Sequence, residues 1–252
     1  MKRLILPCFA LLLATPFFFA SPAMAEPPAG DGWKPLFNGE DLDGWKLPDG
    51  AGDIWTVVDR TIDCNPKQGR KGDQSLWSAG EYGDFTLHCE WRIKETKGEG
   101  YPVPTVLPDG TDQKDADGKT ITTKMPNADS GIYLRGTPNA QVNIWCWPIG
   151  SGEVYGYRMS ESATPEVRAG VTPKMNADNP VGEWNTFVIT MKGDRLTVEL
   201  NGKKVIENAQ LPGVPAKGPI ALQHHGGYDA AKDEWNSASS LVQFRNIYIK
   251  EE

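Results

Sequence analysis

Along "NTFVITMKGDRLTVELNGKKVIE", Asn185 to Glu207, apolar and polar residues alternate: Phe187, Ile189 and Met191 share one parity, and Leu196, Val198 and Leu200 repeat it one strand later. A period of two places each set on one face of a β-strand. Between the two strands stands Lys192-Gly193-Asp194, and after them Asn201-Gly202, a favoured two-residue turn whose residues tolerate positive φ. Short β-branched or aromatic runs bounded by Gly, Pro, Asn or Asp recur at "IWTVVDRTIDC", "FTLHCEWRIK", "GIYLRG", "QVNIWCW", "PIALQHH" and "LVQFRNIYIK". Val242 and Phe244 share one parity while Ile247 and Ile249 share the other, so a bulge is expected around Arg245-Asn246.

No segment carries a sustained helical stripe. Many strands with one apolar face each predict an all-β fold, an antiparallel two-sheet jelly-roll sandwich, with a closed barrel as the alternative. Residues 26–252 read as a single domain, because no linker, repeat or low-complexity tract divides them. Glu95 to Ala128 lacks periodicity and is rich in Pro, Gly, Asp and Lys, which predicts a long loop insertion, either a rim over a site or a surface excursion. Gly227 to Ser240 reads as a second, shorter loop.

The start of the chain adds a compartment. Lys2 and Arg3 precede an apolar run from Leu4 to Ala20, and "SPAMAE" offers a cleavage site after Ala25, the pattern of a signal peptide over residues 1–25. A periplasmic or secreted protein is expected, and no later run is long enough to span a membrane. Loss of Lys2 and Arg3 takes the formal net charge from -7 to -9. That acidity argues against nucleic acid as a partner. Cys64, Cys89 and Cys146 remain, and export permits one disulfide and one free thiol among them. Cys89, in phase with Phe85, Leu87 and Trp91, reads as a buried small hydrophobe.

Five stretches, in order "WKPLFNGEDLDGWK", "DSGIYLRG", "GEWNTFVITMKGDRLTVELNGKKV", "GPIALQHHG" and "VQFRNIYIK", together resemble the 3-keto-disaccharide hydrolase domain family over Trp33 to Lys250. The resemblance implies a concanavalin A-like lectin/glucanase fold and cleavage of glycosides whose sugar is oxidised at carbon 3. It also implies a companion oxidoreductase that makes the 3-keto sugar. This sequence departs from the family pattern: Gln141 and Cys146 stand where the family often has carboxylates, and His224 takes a usual aspartate position before His225.

Alternation puts Gln141, Asn143, Trp145 and Trp147 on one face of their strand, and Tyr133 and Arg135 on the corresponding face of the preceding one. Such a row suits a sugar, whose hydroxyls meet amides and guanidinium and whose C–H faces meet aromatic rings. Gln223 and His225 share a face opposite Ile220 and Leu222, which makes His225 a better candidate for chemistry than His224. His88 belongs to a row with Glu90, Arg92 and Lys94 that reads as solvated.

A 3-ketone acidifies the proton on carbon 2, so elimination of the leaving group from carbon 1 followed by hydration gives net hydrolysis. His225 and Glu153 are the expected base and acid in either order, Arg135 the stabiliser of the enolate, and Asp129 a binder of hydroxyls or a partner of Arg135. A two-carboxylate glycosidase is poorly supported, because no paired acids lie on one strand. A non-catalytic, lectin-like carbohydrate-binding module and an envelope interaction domain are the other readings. No cofactor is predicted; "DGTDQKDADGK", Asp109 to Lys119, has carboxylates for calcium but lacks the terminal acid of an EF-hand loop.

Overall fold

A computed structural model describes residues 26–49, 54–65, 74–235, 238–239 and 241–252. The expected leader, residues 1–25, lies outside them. In chain order the first strands are β1 (Lys34–Pro35), β2 (Trp45–Lys46), β3 (Trp55–Val58), β4 (Thr61–Cys64), β5 (Leu76–Ser78) and β6 (Phe85–Ile93). An arm follows, β7 (Tyr101–Pro104) and β8 (Thr122–Met125), and then β9 (Asp129–Leu134) and β10 (Thr137–Trp145). Two short helices, α1 (Tyr155–Arg158) and α2 (Pro165–Gly170), precede β11 (Asn185–Lys192), β12 (Arg195–Leu200) and β13 (Lys203–Gln210). The chain ends with β14 (Ala221–Leu222), β15 (Tyr228–Asp229), β16 (Glu234–Trp235) and β17 (Val242–Glu251).

These strands form an antiparallel jelly-roll sandwich. One sheet has the order β13-β12-β11-β6-β17-β4-β3, with β1 also on β17; the other has the order β10-β9-β14-β5-β2. Two separate sheets, with no described strand pairing between them, exclude the closed barrel. The interior is filled by the expected parities: Leu87, Cys89 and Trp91 of β6, Phe187, Ile189 and Met191 of β11, and Ile132, Leu134, Val142 and Ile144 from the facing sheet are all buried. Each such side chain contributes about 1.5–3 kcal/mol through its burial.

The turn chemistry is as the sequence requires. Leu200 pairs with Lys203, and the intervening Asn201 and Gly202 have φ of 52° and 73°. The bulge in β17 falls between Arg245 and Tyr248, with Asn246 at φ 49°. Its freed carbonyl meets His88 Nδ1 at 3.0 Å, so His88 is held by the bulge as well as lying on the outer row.

Several expectations are corrected. The segment 95–128 is a laddered arm: β7 pairs with β8, and Val106 and Lys114 form bridges to Asp112 and Thr120 further along. Its Asp and Thr side chains fold local turns, which period-two reading does not detect; Asp115 Oδ1, for one, accepts from the amides of Asp117 and Lys119. The second loop likewise contains the β15–β16 hairpin. Cys64, Cys89 and Cys146 are all free thiols, so the disulfide that export would permit is not made. Cys64 and Cys89 are buried, and burial raises both thiols far above their ordinary range. No described helix is long and apolar enough to cross a membrane.

Candidate functional site

The outer face of the five-stranded sheet carries a cleft of about 560 Å³, within the 300–1,000 Å³ usual for small-ligand sites. Its floor is set by register. Gln141 stands opposite Tyr133, Asn143 opposite Gly131 and Trp145 opposite Asp129, while the Gln223 amide donates to Gly131 O on the other side. Gly131 leaves room for Gln141: a Cβ there would lie 2.3 Å from Gln141 Nε2. The Gln141 amide thus crosses the strand and donates to Gln223 Oε1 at 2.5 Å and Ser130 O at 3.1 Å.

One wall is aromatic. Trp145 and Trp147 stack at 4.1 Å with an interplanar angle of 5°, and Tyr155 meets both edge-on. Three consecutive aromatic side chains of one extended strand would not all share a face; Trp145 and Trp147 do because they are two residues apart, and Tyr155 arrives from α1. Trp145 is fixed from behind, since its Nε1 donates to Gly150 O and its amide to Ser151 Oγ. Trp147 Nε1 donates to the Tyr101 hydroxyl at 2.6 Å, which brings the arm into the wall.

The carboxylate and the imidazole of the cleft are those of Asp129 and His225, with Nδ1 of the imidazole 3.7 Å from Oδ2 of the carboxylate. Burial pushes the Asp129 carboxyl up to about 7 and lowers the His225 imidazole below 6.5. The two shifts run against the ordinary order of the groups: near neutral pH the imidazole is mostly neutral, while an appreciable share of the Asp129 carboxyl keeps its proton.

Of the expected catalytic residues only His225 lies on this cleft. Arg135 is not on the strand face at all. Leu134 pairs with Thr137, so Arg135-Gly136 is itself a two-residue turn, with φ of 50° and 73°. There its guanidinium is buried and donates to Gly83 O, Gly193 O, Pro215 O and Asp84 Oδ1, which ties the turn to the other sheet. Strand alternation ends at a turn, and that is why parity misplaced it.

Glu153 is also elsewhere. Its backbone carbonyl accepts from both Asn143 N and Asn143 Nδ2, so the segment around it lies along the free edge of β10. The carboxylate turns away into a buried pair with Arg158, whose Nη1 reaches Asp112 and Gly110 O on the arm. Burial raises the Glu153 carboxyl, and Arg158 pulls in the opposite direction.

Among the expected binding residues, Asp129, Gln141, Asn143, Trp145, Trp147 and Gln223 all line the cleft. Tyr133 is on the same face but packs against Trp77, with ring centroids 5.6 Å apart and planes tilted by 34°, outside the cleft lining. Tyr101, Asn127, Tyr155 and Ala238 line the cleft without having been expected. Tyr101 left a faint signal, an isolated aromatic between Gly100 and Pro102 in an otherwise polar segment. Among the described residues no group of three or more His, Cys, Asp or Glu side chains is gathered to hold a metal ion.

A sandwich whose outer sheet face bears amides, indoles and a carboxylate–imidazole pair has the surface of a carbohydrate-acting β-sandwich domain, and the family match agrees. Within that class, the chain belongs to the 3-keto-alpha-glucoside-1,2-lyase-like domain family, matched over residues 32–250. Among solved structures it is similar to three crystal structures from Parabacteroides distasonis ATCC 8503, each provisionally described as a glycosyl hydrolase. The first is 23% identical with a TM-score of 0.54, covering 88% of this chain and 84% of that one. The second is 19% identical with a TM-score of 0.52, covering 88% and 94%. The third is 21% identical with a TM-score of 0.52, covering 88% and 100%. At these identities the likeness is one of fold. No curated protein matches the sequence.

Proposed function

We propose that this protein is an exported hydrolase of 3-keto-glycosides that works by elimination across carbons 1 and 2 followed by hydration. The observation that carries the reading is the facing of Asp129 and His225, 3.7 Å apart, on a cleft with a sugar-suited floor and wall. His225, neutral, takes the proton from carbon 2 as the ketone oxygen accepts the electron pair. Collapse of the enolate breaks the bond from carbon 1 to the leaving oxygen, which receives its proton from Asp129. The steps then run in reverse with water: the Asp129 carboxylate takes a proton from water, hydroxide adds at carbon 1, and His225 returns its proton to carbon 2. Both side chains end as they began, and no oxidant or cofactor is consumed.

Gln141, Asn143 and Gln223 would position hydroxyls, and the Trp145–Trp147 wall would cover a C–H face. An oxidoreductase acting on carbon 3 must supply the substrate. The test is incubation with matched 3-keto and unoxidised glucosides carrying one chromogenic leaving group. Release from the keto compound alone is expected. Release from neither, with sugar binding retained, would replace this reading with that of a carbohydrate-binding module.

A further inference from the structure

Elimination from a 3-keto sugar needs a donor to the ketone oxygen, where negative charge develops, and Arg135 is absent from the cleft. Several donors on the floor and wall are already committed to the protein. Trp145 Nε1 donates to Gly150 O, Asn143 Nδ2 to Glu153 O, and Gln141 Nε2 to both Ser130 O and Gln223 Oε1.

Tyr101 differs. An indole N–H only donates, so in the 2.6 Å bond with Trp147 the phenol oxygen is the acceptor, and the phenolic proton is left to point elsewhere. Among the described residues no acceptor is hydrogen-bonded to that proton. The donation it receives makes the phenol a stronger donor in turn, because hydrogen bonds in a chain polarise one another. Its backbone is fixed as well: Tyr101 pairs with Met125 in the β7–β8 arm, and the arm is anchored near α1 by the bond from Arg158 to Asp112. Tyr101 lines the same cleft as Asp129 and His225.

We infer that Tyr101, oriented by Trp147, is a catalytic residue that donates its phenolic hydrogen bond to the carbon-3 oxygen of the substrate and stabilises the enolate. The inference rests on the elimination reading given above. During the step the C2–H electron pair becomes the C2=C3 bond and the carbonyl pair moves onto oxygen. Tyr101 keeps its proton throughout and shortens its bond to that oxygen as charge builds. The arm, which is the least regular part of the sequence pattern, would on this view supply a part of the chemistry and Trp147 would act as a positioning residue.

The experiment uses a methyl 3-keto-glucoside, whose poor leaving group lets enolisation be read by itself as exchange of the carbon-2 proton in D₂O, alongside release from the chromogenic 3-keto-glucoside. Tyr101→Phe keeps the ring and removes only the hydroxyl. It is expected to lower exchange and release together by about 10²–10³ through kcat, the loss typical of one donor to a developing oxyanion, with KM little changed. Trp147→Phe should give a smaller fall in both, with Tyr101 still present. Thermal unfolding of each variant checks that it remains folded.

If Tyr101→Phe, folded, exchanges within about threefold of the wild type, well short of a donor's loss, Tyr101 has no such role while the elimination reading stands. If the wild type neither exchanges nor releases, the elimination reading fails and Tyr101's role fails with it. A rise in KM with kcat unchanged would make Tyr101 a binding residue and overturn the inference.

Discussion

Arg158 Nε donates to Glu153 Oε1 at 2.5 Å, and neither side chain has appreciable contact with solvent. Through Nη1 the same guanidinium reaches Asp112 at 2.9 Å, so one buried cation joins the segment beside β10 to the arm. Breaking a buried pair by removing one partner leaves an uncompensated charge and costs about 3–5 kcal/mol. Glu153→Ala is therefore expected to lower the thermal unfolding temperature substantially, with its main effect on stability. A variant of unchanged stability whose turnover fell a thousandfold would instead place Glu153 in the chemistry.

Arg135 is expected to behave in the same way at the opposite end of the sheet. Its fork satisfies three backbone carbonyls and Asp84, a geometry that a lysine ammonium does not reproduce. Arg135→Lys should be destabilised by about 1–3 kcal/mol, the cost of buried acceptors left unmet, while sugar affinity measured by calorimetry stays close to that of the wild type. A selective loss of affinity in a fully stable variant would contradict the turn assignment.

The opposed shifts of Asp129 and His225 give a signed pH profile. His225 must be unprotonated to act as base, so activity falls as pH drops through its depressed pKa, below 6.5. Asp129 must hold its proton to act as acid, so activity also falls as pH rises through about 7. A narrow bell in kcat/KM is expected, its two limbs belonging to the coupled pair. His225→Ala and Asp129→Asn should each lose about 10²–10⁴ in rate. Activity that keeps rising well above pH 7 would assign the carboxylate, in place of the imidazole, as base.

Gly131 offers a test of the floor that leaves the backbone unstrained. Its Cβ would collide with the Gln141 amide, so Gly131→Ala should push that amide away from Gln223. Loss of one correctly placed sugar contact corresponds to about 0.5–1.5 kcal/mol, read as a several-fold rise in KM or Kd. Gln141→Ala should have a similar effect, and the double variant little more than either alone, because both changes remove the same contact.

The fold was legible because alternation is a local signal. Phe187, Ile189 and Met191 announce their face without knowledge of the partner strand, and Asn201-Gly202 announces its turn. The same signal located Gln141 and Asn143 on the cleft floor and Trp145 in its wall. It failed where alternation does not apply. Arg135 sits in a turn that looked like the continuation of a strand, and Glu153 sits in a segment whose carbonyl and carboxylate face opposite ways. Tyr101 is placed by the arm's cross-strand register and by a hydrogen bond to a residue 46 positions away, neither of which leaves a periodic trace in the sequence.

The Trp145–Trp147 stack has an optical consequence. Two indoles stacked 4.1 Å apart in nearly parallel planes are close enough to couple their ultraviolet transitions, so a near-ultraviolet circular dichroism contribution from this wall is expected, its sign and size set by the in-plane angle between the rings. A ring laid against Trp147, or a shift of the arm that pulls on its Nε1, would change that signal without any label. The protein thus contains a spectroscopic reporter at the place where a sugar would bind.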